Sequence, residues 1–185
     1  LEFRRVLFRS SEGADANRYG QEAVYELEKS DAGVMMDKAK AELYGLPVLE
    51  YWKTVSREEN RLYQAAYVEA EDVWQWDWIF GPMTKSFTFQ VDHLAASTES
   101  STLDVWLQGA SDFPELDHHA RVYVNGTLVT EEWWDGETGV HLTAELGPGV
   151  LVEGDNMLQV EEVGDTDALY SMIMLDRFEI GRAHV

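Results

Sequence analysis

The chain contains no cysteine among its 185 residues. That excludes disulfide bonds, thiolate metal ligands and a cysteine nucleophile within this stretch. Basic residues are scarce too: 14 lysines and arginines stand against 35 aspartates and glutamates, a formal net charge of −21. Without a basic stripe to displace counterions from phosphate, nucleic acid is not an expected partner. An anionic bilayer would repel the chain. No apolar run approaches the ~18 residues of a membrane span, so membrane insertion is not expected either.

What is present argues for a folded body. Hydrophobic residues make up 45% and aromatics 12%, more than a disordered acidic tail carries. The length suits one domain with a sizeable core, or one domain and part of another. The acid therefore belongs on a surface, where it has two readings. One is adaptation to a salt-rich, halophilic habitat; the other is binding of a hard cation such as calcium.

Both ends read as foreign. The opening "LEFRRVLFRS" and the closing "IGRAHV" can be encoded by one DNA stretch read from opposite strands, and both resemble a common sequencing adapter. Residues 1–10 and 180–185 are accordingly expected to be adapter-derived, with Glu179 ambiguous. Setting aside Arg4, Arg5, Arg9, Arg182, Glu2 and Glu179 removes four basic and two acidic residues and deepens the net charge from −21 to −23. Residues 11–56 are a mixed segment, expected to be the tail of a preceding domain. A helical-looking patch from Met36 to Leu43 ends at Gly45 and Pro47, and short strands around Val24 and Met35 are equally allowed.

Residues 57–179 carry period-2 alternation. It runs through "SFTFQV", "TLDVWLQG", "ARVYVNG" and "NMLQVEEV", with turn clusters such as "GASDFPELD", "WDGETG" and "ELGPGV" between. Short strands so punctuated predict an all-β sandwich or barrel. Asn125-Gly126 predicts a type I′ hairpin turn. That turn accounts for the formal glycosylation acceptor Asn125-Gly126-Thr127 without any sugar. "YSMIMLDRF" is apolar on both faces at its centre, which predicts a strand in the middle of a sheet. Alternation places Met172, Met174 and Asp176 on one face, with Ile173, Leu175 and Arg177 on the other.

Candidate chemistry is sparse. No nucleophile elbow, P-loop, dinucleotide fingerprint or EF-hand loop occurs, so no catalytic residue is assigned. Asp117-His118-His119 offers ligands without a second cluster at zinc spacing; a turn before a strand explains it as well. In "VWQWDWIF", Trp74, Trp76 and Trp78 fall on one strand face with Phe80, a row that reads as a core or domain-interface seam ahead of a sugar platform. Trp133 and Trp134 are adjacent, so in a strand they point opposite ways and one is exposed. They are the candidate ligand contacts. Asp176 would be costly to bury unpaired: it reaches solvent, caps a turn, or joins a calcium site. Calcium is the one cofactor this pattern suggests.

The run "ARVYVNGTLV … WWDG … LVEGDNMLQVE … YSMIMLDRF" resembles sandwiches of galactose-binding-like, jelly-roll topology in secreted proteins. More narrowly, "REENRLY", "EDVWQWDWI" and the upstream "AVYELEKSDAGVMM" resemble the region before the catalytic domain of gingipain-type cysteine peptidases. The resemblance implies a secreted or cell-surface location and neighbouring domains of the same polypeptide as partners. It places the catalytic Cys and His in an α/β domain beyond the sandwich, so this stretch is expected to be a non-catalytic accessory. An alternative of another class is a carbohydrate-binding module of an exported glycosidase or adhesin, with polysaccharide or cell-surface material as partner.

Overall fold

The computed structural model describes residues 51–64, 72–95, 100–114 and 116–184, within a compact unit spanning Val48–Val185. The expectations for residues 1–50, including the Met36–Leu43 patch, lie outside the described residues. Eleven strands follow one another among the described residues: β1 (Tyr51–Glu58), β2 (Leu62–Tyr63), β3 (Trp74–Gln75), β4 (Asp77–Phe80), β5 (Met83–Val91), β6 (Ser101–Gly109), β7 (His118–Val124), β8 (Thr127–Trp134), β9 (Gly139–Leu146), β10 (Gly154–Glu162) and β11 (Met172–His184). No helix occurs among the described residues. The protein is an all-β sandwich, as its alternation predicts.

One sheet has the order β1-β11-β6-β9, with β4 also pairing with β11; the other has the order β5-β10-β7-β8, and β2 and β3 form a small ribbon. Each pairing is antiparallel. The inward side of β5, β6, β7, β9 and β10 is the apolar half of its alternation. Phe87, Phe89 and Val91 of β5, Val122 and Val124 of β7, and Leu158 and Val160 of β10 meet Leu103, Val105 and Leu107 of β6 and Leu142 of β9 in one core. Each such side chain contributes roughly 1.5–3 kcal/mol when fully buried. Asn125 and Gly126 take positive φ angles of 49° and 80°, the left-handed pair that a two-residue hairpin needs.

β11 lies in the middle of its sheet, with β1 and β4 on one side and β6 on the other. Its two faces do not follow the simple alternation, however. The register against β6 shifts between Leu175 and Arg177, the mark of a bulge. Ile173 and Leu175 point into the core before it, and Phe178 and Ile180 after it. Parity therefore flips, and Asp176 and Arg177 share the outer side where alternation had placed them on opposite faces. Residues 180–184 continue β11 opposite Tyr51–Val55 of β1. Ile180 joins the core, and the Arg182 guanidinium donates to Asp92 O at 2.8 Å.

The tryptophan row also divides. The chain bends at Trp76, whose N–H donates to Leu175 O at 2.7 Å. On one side of the bend β3 pairs with β2, and on the other β4 pairs with β11. Trp76 turns into the core, stacked on Phe178 at 5.7 Å and tilted against Phe87 at 4.9 Å. Trp78 and Phe80 face outward beyond the bend, so the single seam expected along the row is not formed.

Candidate functional site

The bulge in β11 builds the most unusual polar group among the described residues. It brings Asp176 beside Asp72, at the entry to β3, and Glu58, at the end of β1. One carboxylate oxygen from each lies within 4.8 Å of the others. Asp72 is 6% exposed and Asp176 7%. Asp72 is held by its own turn: the Trp74 N–H donates to its Oδ1 at 2.9 Å, and Gln75 Nε2 donates to its backbone oxygen at 3.1 Å. Arg177 donates from Nη1 to Asp176 Oδ2 at 2.7 Å. Three carboxylates thus meet in a partly dry place. At an effective dielectric of about 20, each like-charge pair at this spacing repels by about 3 kcal/mol. A proton or a cation relieves that repulsion. Gln75, 2% exposed, adds a buried amide oxygen with no hydrogen-bond partner. Hard oxygen donors from separate elements are the ligand set that calcium takes.

A pocket of about 450 Å³ opens onto this cluster, lined by Asp72, Gln75 and Asp176 on one side and by Trp106, Gln108 and His141 on another. It lies on the outer face of the five-stranded sheet, since Trp106 and Gln108 alternate along β6 with Val105 and Leu107, which point into the core. Trp106 is held in place on that face: the Arg177 guanidinium sits 4.2 Å from its ring and His141 stacks on it at 4.3 Å. His141 Nε2 is 2.9 Å from Asp104 Oδ1.

The two adjacent tryptophans separate as their positions on β8 dictate. Trp134 turns inward, 7% exposed, and packs in the core, whereas Trp133 is 44% exposed. The histidines of the Asp117-His118-His119 run are both buried at the start of β7. His118 Nδ1 is 2.9 Å from Ser171 Oγ, and its Nε2 faces the carbonyls of Ser111 and Gly136 at 3.2 Å each. Burial holds this imidazole below its ordinary pKa, against the opposing pull of Asp117. His119 Nδ1 lies 2.7 Å from Asp165 Oδ1 and its Nε2 3.3 Å from Glu131 Oε2. All four ring nitrogens are engaged by protein groups, which is what the turn-before-strand reading of this run requires.

Sequence reasoning named Asp176, Trp133 and Trp134, and missed Glu58, Asp72 and Gln75. Nothing in their local patterns marks those three; only the fold gathers them. A large apolar surface was missed as well. Phe80 stacks on Tyr170 at 5.6 Å, Phe113 meets the same ring edge-on at 4.9 Å, and neighbouring Leu169 is 86% exposed.

No known family profile matches the chain, and no curated protein matches it. Its fold is similar to part of latent PorU from Porphyromonas gingivalis, with a TM-score of 0.55 and 10% identity over 73% of this chain; the match spans 13% of the PorU chain. More distant is the CBM36-1 domain of a multidomain xylanase from the hindgut metagenome of Trinervitermes trinervoides, with a TM-score of 0.44 and 11% identity over 73% of this chain and 100% of that one. A carbohydrate-binding module CBM36 in complex with calcium and xylotriose has a TM-score of 0.41 and 11% identity over 72% of this chain and 99% of that one. At 10% identity the likeness to PorU describes a shared fold.

Proposed function

We propose that this chain is a non-catalytic accessory β-sandwich of a secreted, gingipain-like cysteine peptidase, working as a structural or surface-presenting module. The observation that carries the reading is the fold shared with one part, 13%, of the much longer latent PorU. The order of the gingipain-type sequence motifs supports it. The Phe80–Tyr170–Phe113 cluster with Leu169 gives such a module an apolar surface to set against a neighbouring domain of its own polypeptide. Sequencing the source DNA outward from the codon of Phe178 tests the proposal. A frame that runs into an α/β domain carrying a His and then a Cys supports it; a glycosidase, a repeat array or an early stop removes it.

Within this reading Glu58, Asp72 and Asp176 hold a calcium ion, with Gln75 as a neutral oxygen donor beside them. The ion's work is structural. It relieves the repulsion among the carboxylates and ties the end of β1 and the entry to β3 onto the bulge of β11.

A second reading, a carbohydrate-binding module of an exported glycosidase or adhesin, is favoured by one observation: Trp133 is a large aromatic left 44% exposed. Trp134 would support it from the core side of the strand. Retention on an insoluble polysaccharide that is lost on Trp133→Ala would favour this reading over the first.

A further inference from the structure

Residues 163–171 join β10 to β11 and carry Leu169 and Tyr170 of the apolar surface. Two buried side chains stand at the feet of this loop: Glu162 at its start, 0% exposed, and Ser171 at its end, 3% exposed. We infer that the Ser171 hydroxyl is a proton switch. While Glu162 is protonated, Ser171 serves His118 and the feet of the loop stay closed; once Glu162 ionises, the hydroxyl abandons His118 and the feet open.

The direction of each hydrogen bond follows from its partners. His118 Nε2 lies 3.2 Å from the carbonyl oxygens of Ser111 and Gly136 and 3.4 Å from Asp117 Oδ1. These oxygens only accept, so Nε2 carries the ring's proton. In the neutral ring Nδ1 is then an acceptor, and Ser171 Oγ, 2.9 Å away, donates to it. A hydroxyl has one proton, so what Ser171 turns toward Glu162 is a lone pair. The two side chains adjoin at Gly81: its N–H donates to Ser171 O at 2.9 Å, and a Cβ there would meet Glu162 Cγ at 3.0 Å. Glu162 Oε1 accepts from the His119 N–H at 3.2 Å, whereas Oε2 is buried without a partner. A neutral carboxyl suits this place, since it leaves no charge in the dry and turns a donor toward Ser171. An ionised one needs donors, and the Ser171 hydroxyl, which stabilises the ionised form, has a proton to give only by leaving His118.

Sending the proton on from Glu162 to the ring would put two ions in the interior, which burial opposes at both groups. The charged groups facing the pair are Asp117 and Asp135 at His118, and His119 at Glu162. His119 is itself held by Asp165 and Glu131. From β6, β8 and the β4–β5 turn the neighbours are Gly109, Trp134 and Gly81, all uncharged. The rest of the loop leans on the same run of β7: the Val163 N–H donates to His119 O at 2.9 Å, Thr166 Oγ1 donates to Asp117 O at 3.2 Å, and Asp165 meets His119. A change at His118 therefore reaches each of these ties, and through them the apolar surface that the loop presents.

Nitrogen NMR of the His118 ring, with amide hydrogen exchange on the same isotope-labelled whole chain, tests this between about pH 5 and 9. The neutral ring should hold its proton on Nε2. Its Nδ1 resonance should move downfield, as a nitrogen that loses its donor does, with the same midpoint as the Glu162 carboxyl carbon, about 7. Across that midpoint the protection factors of the Gly81 and Val163 amides should fall by about tenfold. Glu162→Gln keeps a permanent donor toward Ser171, so its Nδ1 resonance and both protection factors should stay level. A neutral ring protonated on Nδ1 overturns the inference, and so does an Nδ1 shift in Glu162→Gln equal to that of the parent chain. Protection that stays constant through the Glu162 midpoint overturns it as well.

Discussion

The imidazole of His119 lies flat against the indole of Trp133, with ring centroids 3.9 Å apart and planes 18° apart. The exposed tryptophan is therefore also a lid on a buried histidine. Trp133→Ala should cost about 1 kcal/mol, the size of one aromatic contact and some lost burial. Trp134→Ala, one residue on, empties a core position and should cost about 3–5 kcal/mol. Urea denaturation midpoints of the two variants measure the contrast. Equal losses would mean that the two side chains do not face opposite ways.

Calcium should raise the melting temperature. At a free concentration about 100 times its Kd, a single ion bound only to the folded state adds about 2.7 kcal/mol. For a domain of this size that corresponds to roughly 5–10 °C. Magnesium at the same concentration should do much less, since it demands a tighter octahedral shell. Asp72→Asn and Asp176→Asn should each abolish the calcium increment. A shift produced equally by calcium, magnesium and sodium chloride would assign the effect to screening instead.

Glu162 gives a pH dependence of known sign. Burial pushes its carboxyl up to about 7, although the His119 N–H donates to its Oε1. The folded state thus binds this proton more tightly than the unfolded chain does. Its contribution to stability is complete below about 4.5, the ordinary value, and declines as pH rises to about 7; the loss is roughly 3 kcal/mol. His118 works the other way: its lowered pKa favours the neutral ring, so its contribution is present above 6.5 and is lost as pH falls. Glu162→Gln should remove the first slope alone. Its melting temperature should gain on the parent chain between about pH 5 and 8, and a gain that does not grow with pH contradicts the assignment.

The β7–β8 hairpin should be sensitive at two adjacent positions for different reasons. At Gly126 the φ of 80° disfavours a β-branched side chain, so Gly126→Val should cost about 1–2 kcal/mol even though the space around it is open. Asn125 does more than tolerate its angle. Its Nδ2 donates to Val150 O and Asn156 Oδ1, both at 2.8 Å, and its Oδ1 accepts from the Met157 N–H at 2.9 Å. Asn125→Gly keeps the backbone and loses those bonds, and should still cost about 2–3 kcal/mol. Chemical denaturation resolves the two.

The acidic surface predicts a salt response. With a net charge of −21, self-repulsion should weaken the fold at low ionic strength, where the Debye length exceeds about 10 Å. Melting temperature should rise steadily between about 0.01 and 1 M potassium chloride. A flat profile would remove the salt-habitat reading of the composition.

The sandwich was legible in the sequence because β5, β6, β7 and β10 alternate cleanly, so one face of each is apolar whatever the partner. The hairpin was legible because Asn-Gly at positions 125 and 126 fixes a backbone conformation by itself. The site was not. Asp176 attracted notice as a charge in an apolar strand, yet its true neighbours come from β1 and from the turn before β3. The bulge itself left a trace that strict alternation overlooks: Ile173 and Leu175 are odd-numbered, Phe178 and Ile180 even, and a strand with one buried face cannot present both sets without an extra residue between. The bend at Trp76 left no comparable trace, because tryptophan fits a core and a half-exposed wall equally well.

Chain order and sheet order are at odds in the five-stranded sheet. Its earliest strand, β1, has for its partner the last, β11. During synthesis β7 and β8 can meet as soon as both have emerged, but Tyr51–Glu58 must wait with its ladder unmade until residues beyond Met172 appear. Such non-local closure is slow, in the millisecond-to-second range for β-sandwiches. Until then β1 is an edge seeking any strand, and the carboxylates of Glu58 and Asp72 stand apart from Asp176. The nascent protein is therefore most exposed to misassembly just before its last strand is complete.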